Sequence, residues 1–164
     1  SPTWPEDIRY DTEYRIRHIH IQGVPVTGFI DRDDKKDHSI VVYDYKSGKT
    51  DKFREKLKAP DDKSNGGDYW RQMVFYDLML IQDPKYHTHM DHGWLQALEP
   101  EKDGTFKQHK VVVTTEDREI VTRQIVDTYQ KIQNMEYNTG CGKCQWCEMH
   151  GIVAIPAEAE EQGD

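Results

Sequence analysis

No run in these 164 residues is apolar for long enough to span a bilayer, and the chain carries no signal-peptide pattern. A cytoplasmic protein without a helical membrane span is therefore the expectation. Apolar residues are also scarce, 35% against 32% charged, so the length suits one domain with a modest core. Cysteine is missing everywhere except Cys141, Cys144 and Cys147, which excludes a disulfide framework distributed over the fold. Positive charge is short too: the formal net charge is −8 and the pI near 5.5, which counts against a surface that binds polyanions everywhere. Part of that acidity is local, because Glu158, Glu160, Glu161 and Asp164 crowd the end of the chain. No internal repeat is evident. Ser47-Gly-Lys-Thr50 ends like a phosphate-binding P-loop, but Tyr43 stands where that motif needs its first glycine, so no nucleotide site is read there.

What is present begins with two β-type segments, Gly28-Phe-Ile-Asp-Arg32 and Val41-Val-Tyr-Asp-Tyr-Lys-Ser-Gly48. Their polar connection, Arg-Asp-Asp-Lys-Lys-Asp-His, predicts a turn that folds one strand back on the other. On the second strand Ile40, Val42, Asp44 and Lys46 share one face. The hairpin brings Asp31 towards Asp44, and two adjacent carboxylates call for a hard divalent cation such as magnesium or manganese. An ammonium on the same face can stabilise charge developing on a phosphodiester. A solvated hairpin with a surface Asp and Lys accounts for the spacing as well.

A third segment follows. Gly67-Asp-Tyr-Trp-Arg-Gln-Met-Val-Phe-Tyr-Asp-Leu-Met-Leu-Ile81 has Trp70, Val74, Leu78 and Ile81 at helical spacing, with Gln72 and Tyr76 on a neighbouring face. The order G-x-I-D, D-x-K, then Q-x-x-x-Y on a helix resembles the RecB-like branch of the PD-(D/E)XK nuclease superfamily, in particular the nuclease domains fused to UvrD/Rep-type and AddA/AddB-type DNA helicases. The resemblance implies an α/β fold with a restriction-endonuclease-like mixed sheet flanked by helices. It implies Asp31, Asp44 and the Tyr45 carbonyl as metal ligands, Lys46 as the catalytic lysine, and Gln72 and Tyr76 as supports of the site. DNA and a helicase in the same or a partner chain are the implied partners. Such relatives also carry a metal-binding His or Glu on an upstream helix, which nothing here matches, Glu13 being the nearest substitute; a fragment of a longer protein is expected. Two functions stand: a DNA nuclease of repair and recombination, or a weak or inactive nuclease-fold module that binds DNA or a helicase.

The cysteines, with His150, admit three readings. They are reduced thiols at the end of a helix with Trp146 on the core, or part of an iron-sulfur cluster completed by the full-length protein, as in AddB-like relatives, or a zinc site of Cys141, Cys144, Cys147 and His150. His87 and His89 fall at alternate strand positions that can share a metal, although surface histidines explain them more simply. The remaining elements are a first strand over 13–22, a charged loop over 49–67, strands over 87–98 and 105–113, and a helix over 115–137 with Ile120, Ile125, Tyr129 and Ile132 inward. Basic residues from Lys46 to Lys63 can flank a phosphate backbone or simply solvate that loop. A nuclease-like domain over 1–150 and an acidic tail over 151–164 complete the expectation.

Overall fold

The computed structural model describes residues 9–36, 39–47, 52–136 and 145–149. The chain divides into two compact units, 1–126 and 127–164. Unit 1 is built on strands β1 (Arg9–Ile21), β2 (Val24–Lys36), β3 (Ser39–Lys46), β4 (His92–Ala97) and β5 (Gln108–Val111). They form one sheet in sequence order, antiparallel except for the parallel β3–β4 pair. A parallel pair needs a crossover, and helices α1 (Phe53–Lys56) and α2 (Asp68–Gln82) supply it. Helix α3 (Thr115–Gln133) follows β5 and runs across the boundary of the units; α4 (Gln145–Met149) lies in unit 2.

Burial follows the expected face of β3: Ile40, Val42 and Asp44 are buried and Lys46 is half-buried. The β1 alternation breaks. Tyr14 and Ile16 face inward, then the register slips between Ile16 and Ile19, where His18 adopts φ 57°, and Ile19 and Ile21 become the inward residues. One extra residue in β1 lets isoleucines of opposite parity enter the same core.

Strand β2 buries residues on both sides of Asp31. Gly28 faces α2, since a Cβ there would lie 2.7 Å from Met79 Sδ, and Ile30 is buried, while Phe29 is exposed. Beyond Asp31 the neighbours Asp33 and Asp34 are both buried. Across from Asp31, between the pairs Thr12–Arg32 and Tyr14–Ile30, Glu13 holds φ 53°.

Several expected boundaries move. The 49–67 stretch holds α1, with Phe53 1% exposed and its ring edge-on to Tyr69 at 5.6 Å, so that segment is anchored. Strand β4 starts at His92, which removes His87 and His89 from it. In α2 burial goes well beyond a stripe, from Met73 to Leu80 with only Phe75 partly exposed, whereas Ile81 is half-buried. In α3 Val121 is fully buried, Ile120 and Ile125 are partly buried, and Ile132 is exposed. Thr114 and Asp117 form the reciprocal cap that starts α3, the Asp117 amide donating to Thr114 Oγ1 at 3.1 Å. Asp117 also accepts Trp70 Nε1 at 2.9 Å. Buried Asp77 of α2 accepts Arg118 Nε at 2.6 Å and the Met90 amide at 2.7 Å, and pairs with His89. These bonds tie α2 to the start of α3 and to the approach of β4.

Asp11 of β1 is held by Lys85 Nζ at 2.6 Å and Lys35 Nζ at 2.9 Å, which lower its pKa from 3.8 to about 2. A carboxylate lowered on folding contributes stability above its unfolded pKa and loses it as pH falls through the folded one. The Asp11→Asn variant is therefore expected to melt below the wild type at neutral pH, with the gap closing between about pH 4 and pH 2. All three side chains are partly exposed, so the gap is small. A difference in Tm that stays constant over this range would show that the ion pairs are not its source.

Candidate active site

The β2–β3 ladder ends at the Arg32–Tyr43 pair, although β3 continues to Lys46. One step further, Asp31 stands across from Asp44. There the Asp31 side chain takes over the ladder's role: its Oδ2 accepts the Tyr45 amide at 3.0 Å. The strands splay where the two carboxylates meet.

Helix α2 closes the site from the other side. Tyr76 Oη donates to Asp44 Oδ1 at 2.8 Å, Gln72 Nε2 donates to Tyr76 Oη at 2.7 Å, and Lys46 Nζ donates to Gln72 Oε1 at 2.6 Å. Lys46 Nζ also lies 2.7 Å from Asp44 Oδ2, an ion pair. Asp44, Tyr76, Gln72 and Lys46 thus form a closed ring. The register of β3 fixes two of its members and the four-residue helical spacing fixes the other two.

Asp44 is 1% exposed, and burial raises its carboxyl pKa above the usual carboxylate range. The Lys46 ammonium and the Tyr76 hydrogen bond oppose that rise, and the nearby Asp31 charge adds to it. Burial, followed by the charge on Asp44, also pushes the Tyr76 phenol up, so Tyr76 is a neutral donor at physiological pH. Two carboxylates that repel each other, one with a buried oxygen lacking a hydrogen bond, are donors suited to a hard divalent cation. Asp31 and Asp44 fit that role by chemistry. Among the described residues no group of three or more His, Cys, Asp or Glu is positioned to hold a metal. Glu13 is exposed.

Sequence reasoning passes over Tyr69, whereas Lys56 is one of the basic residues expected either to flank a phosphate backbone or to solvate its loop. Lys46 Nζ sits 4.8 Å from the Tyr69 ring centroid and Lys56 Nζ 4.6 Å from it, with Lys56 also donating to the Tyr69 hydroxyl at 3.4 Å. A signal existed, since Tyr69, Gln72 and Tyr76 recur at three and four along one helix face. That Lys56, of all the basic residues in its stretch, is the one that reaches Tyr69 depends on how α1 packs on α2. His89 pairs with Asp77, while His92 pairs with its neighbour Asp91. Cys147 is buried; Cys141, Cys144 and His150 lie outside the described residues, as does the acidic tail. Among the described residues no helix is long and apolar enough to cross a membrane.

No curated protein matches the sequence. A solved structure titled "Crystal structure of SSO0001" is similar at a TM-score of 0.46 and 18% identity, over 92% of this chain and 61% of its own. This chain thus spans less than two thirds of that protein. The family model of the PD-(D/E)XK nuclease superfamily matches residues 2–152, nearly the whole chain, and the chain therefore belongs to that superfamily.

Proposed function

We propose that this domain is a magnesium- or manganese-dependent deoxyribonuclease of the RecB-like branch. It hydrolyses phosphodiester bonds in the cytoplasm as the cutting module of a DNA-repair or recombination helicase, encoded in the same chain or a partner. The reading rests on one observation: Asp44, Lys46, Gln72 and Tyr76 are joined in a ring of short polar contacts at the point where Asp31 meets Asp44.

Asp31 and Asp44, with the Tyr45 carbonyl, would hold the cation, which when bound supplies Lewis acidity at the phosphoryl oxygen. The rest is assigned to the protein's own groups. Lys46 is fixed between Asp44 and Gln72, so its ammonium meets the charge that develops on the phosphate without first reorganising. Gln72 is oriented by Tyr76, and Tyr76 by Asp44; these two residues position the lysine and the carboxylate. Lys56, held against the Tyr69 ring beside Lys46, extends the cationic side of the site. An iron-sulfur cluster that includes Cys141, Cys144 and Cys147 in a longer protein is a separate part of the proposal, tested by the iron and zinc content of the purified protein.

A second reading, a nuclease-fold module that binds DNA or a helicase and cuts weakly or not at all, is favoured by the lack of a third described ligand. End-labelled single-stranded DNA, duplex DNA and RNA, incubated with magnesium, manganese or chelator, separate the two. The nuclease reading expects metal-dependent products that disappear in Asp44→Asn. Binding without products in either metal would establish the second reading.

A further inference from the structure

We propose that the groove between α2 and β2 seats a single strand of nucleic acid, with Phe75 as the face on which one base stacks. The proposal rests on the nuclease reading and deepens it. On one wall Asp68, Arg71, Gln72, Phe75, Tyr76 and Met79 recur at intervals of three and one, a single stripe of α2. The facing wall is β2 from Gly28 to Asp31. A Cβ at Gly28 would collide with Met79 Sδ, so bare backbone forms the wall there.

The groove is continuous with the candidate site, because Asp31, Gln72 and Tyr76 belong to both. Its volume, about 570 Å³, is that of a small-molecule pocket and so admits a nucleotide, whereas a duplex has to lie outside it. Phe75 is the partly exposed residue within the most buried stretch of α2: it packs on the core and also lines the groove. Arg71 stands one turn before it. Its guanidinium is held by Gln124, by an ion pair with Asp68 and by the carbonyls of Asn65 and Gly66, so it is fixed in place with its charge partly offset by Asp68. An aromatic face beside a fixed planar guanidinium, in a groove that runs into the candidate site, is an arrangement that takes a single strand chiefly by base stacking.

The test uses a 5′-fluorescein oligothymidylate, with calcium replacing magnesium, and anisotropy as the readout. A single abasic residue is moved along the strand. At one position the wild type is expected to lose about 5- to 150-fold in affinity, the range of base–aromatic stacking. Phe75→Leu, which keeps apolar packing without the flat face, should lose the same factor with the intact strand and become indifferent to the abasic position. Phe75→Trp should restore the dependence, and in cleavage with magnesium the Leu variant should change KM far more than kcat. Equal affinity of wild type and Phe75→Leu, or an abasic scan flat in the wild type, would overturn the groove assignment and leave the nuclease reading intact. Cutting of blunt duplex as fast as single strand would do the same. If the wild type neither binds nor cuts any strand in any metal, the nuclease reading falls, and this inference with it. Should Phe75→Leu not fold, the abasic scan on the wild type decides.

Discussion

Asp44→Ala is expected to abolish metal-dependent cleavage, and Lys46→Ala to reduce it on the order of 100- to 1000-fold, the cost of removing one preorganised charge-stabilising donor. The two losses have different causes, and manganese binding separates them. Asp44 is buried with one oxygen lacking a hydrogen bond, and Asp31 presses a like charge on it. Removing Asp44 takes away both a ligand and the repulsion that favours a cation, so calorimetric titration should show binding lost. Lys46 cannot ligate while protonated, and its ammonium competes with a cation for Asp44 Oδ2 at 2.7 Å. Lys46→Ala should therefore bind manganese at least as tightly as the wild type while cutting far more slowly. Equal weak binding by wild type and Asp44→Ala would refute the metal assignment. Undiminished cleavage by Lys46→Ala, in a preparation free of contaminating nuclease, would remove the lysine from the mechanism.

The site was readable because its geometry follows from two short periods. A strand of period two aligns Asp44 with Lys46, and a helix of period 3.6 aligns Gln72 with Tyr76; the hairpin then needs only its register to bring Asp31 in. What escaped sequence reading depends on contacts between segments distant in the chain. The β1 slip beside His18 is invisible because either parity of its isoleucines reads as a strand. Phe53 is a lone aromatic in a charged stretch, and nothing local says that it becomes core. The polar residues Asp33 and Asp77 are buried because Tyr86 and Arg118 reach them across 53 and 41 positions, a pairing no local pattern announces. Periodicity places Ile132 on the inward stripe of the helix, yet it is exposed, because periodicity says which residues share a stripe and not how far along the helix that stripe is covered.

Gly67→Ala is expected to be among the most disruptive single-methyl changes in the protein. Gly67 caps α2 with φ −78° and ψ 154°, a conformation that alanine adopts freely, so any damage comes from contact and not from backbone preference. A Cβ there would stand 2.1 Å from the Lys56 carbonyl oxygen and 2.3 Å from its carbon. Both obstacles are backbone and cannot rotate away. The Gly67 amide also donates to the Lys58 carbonyl at 2.9 Å, which holds the end of α1 against the start of α2. Relieving the clash means separating these segments, withdrawing Phe53 from the Tyr69 ring and Lys56 from the site. Overpacking of this kind costs about 1–3 kcal/mol and more where backbone must move. For a chain of this length that is a fall in Tm of roughly 2–12 °C. Cleavage should fall with it even well below the melting temperature, since Tyr69 no longer braces Lys46. The control is Gly23→Ala at the β1–β2 turn: φ is 82° there and a Cβ meets nothing within 4 Å, so only the left-handed backbone penalty applies, about 1–2 kcal/mol, with cleavage at low temperature unchanged. Wild-type melting and activity in Gly67→Ala would mean that α1 is not seated against α2, and that Lys56 has no place beside Lys46.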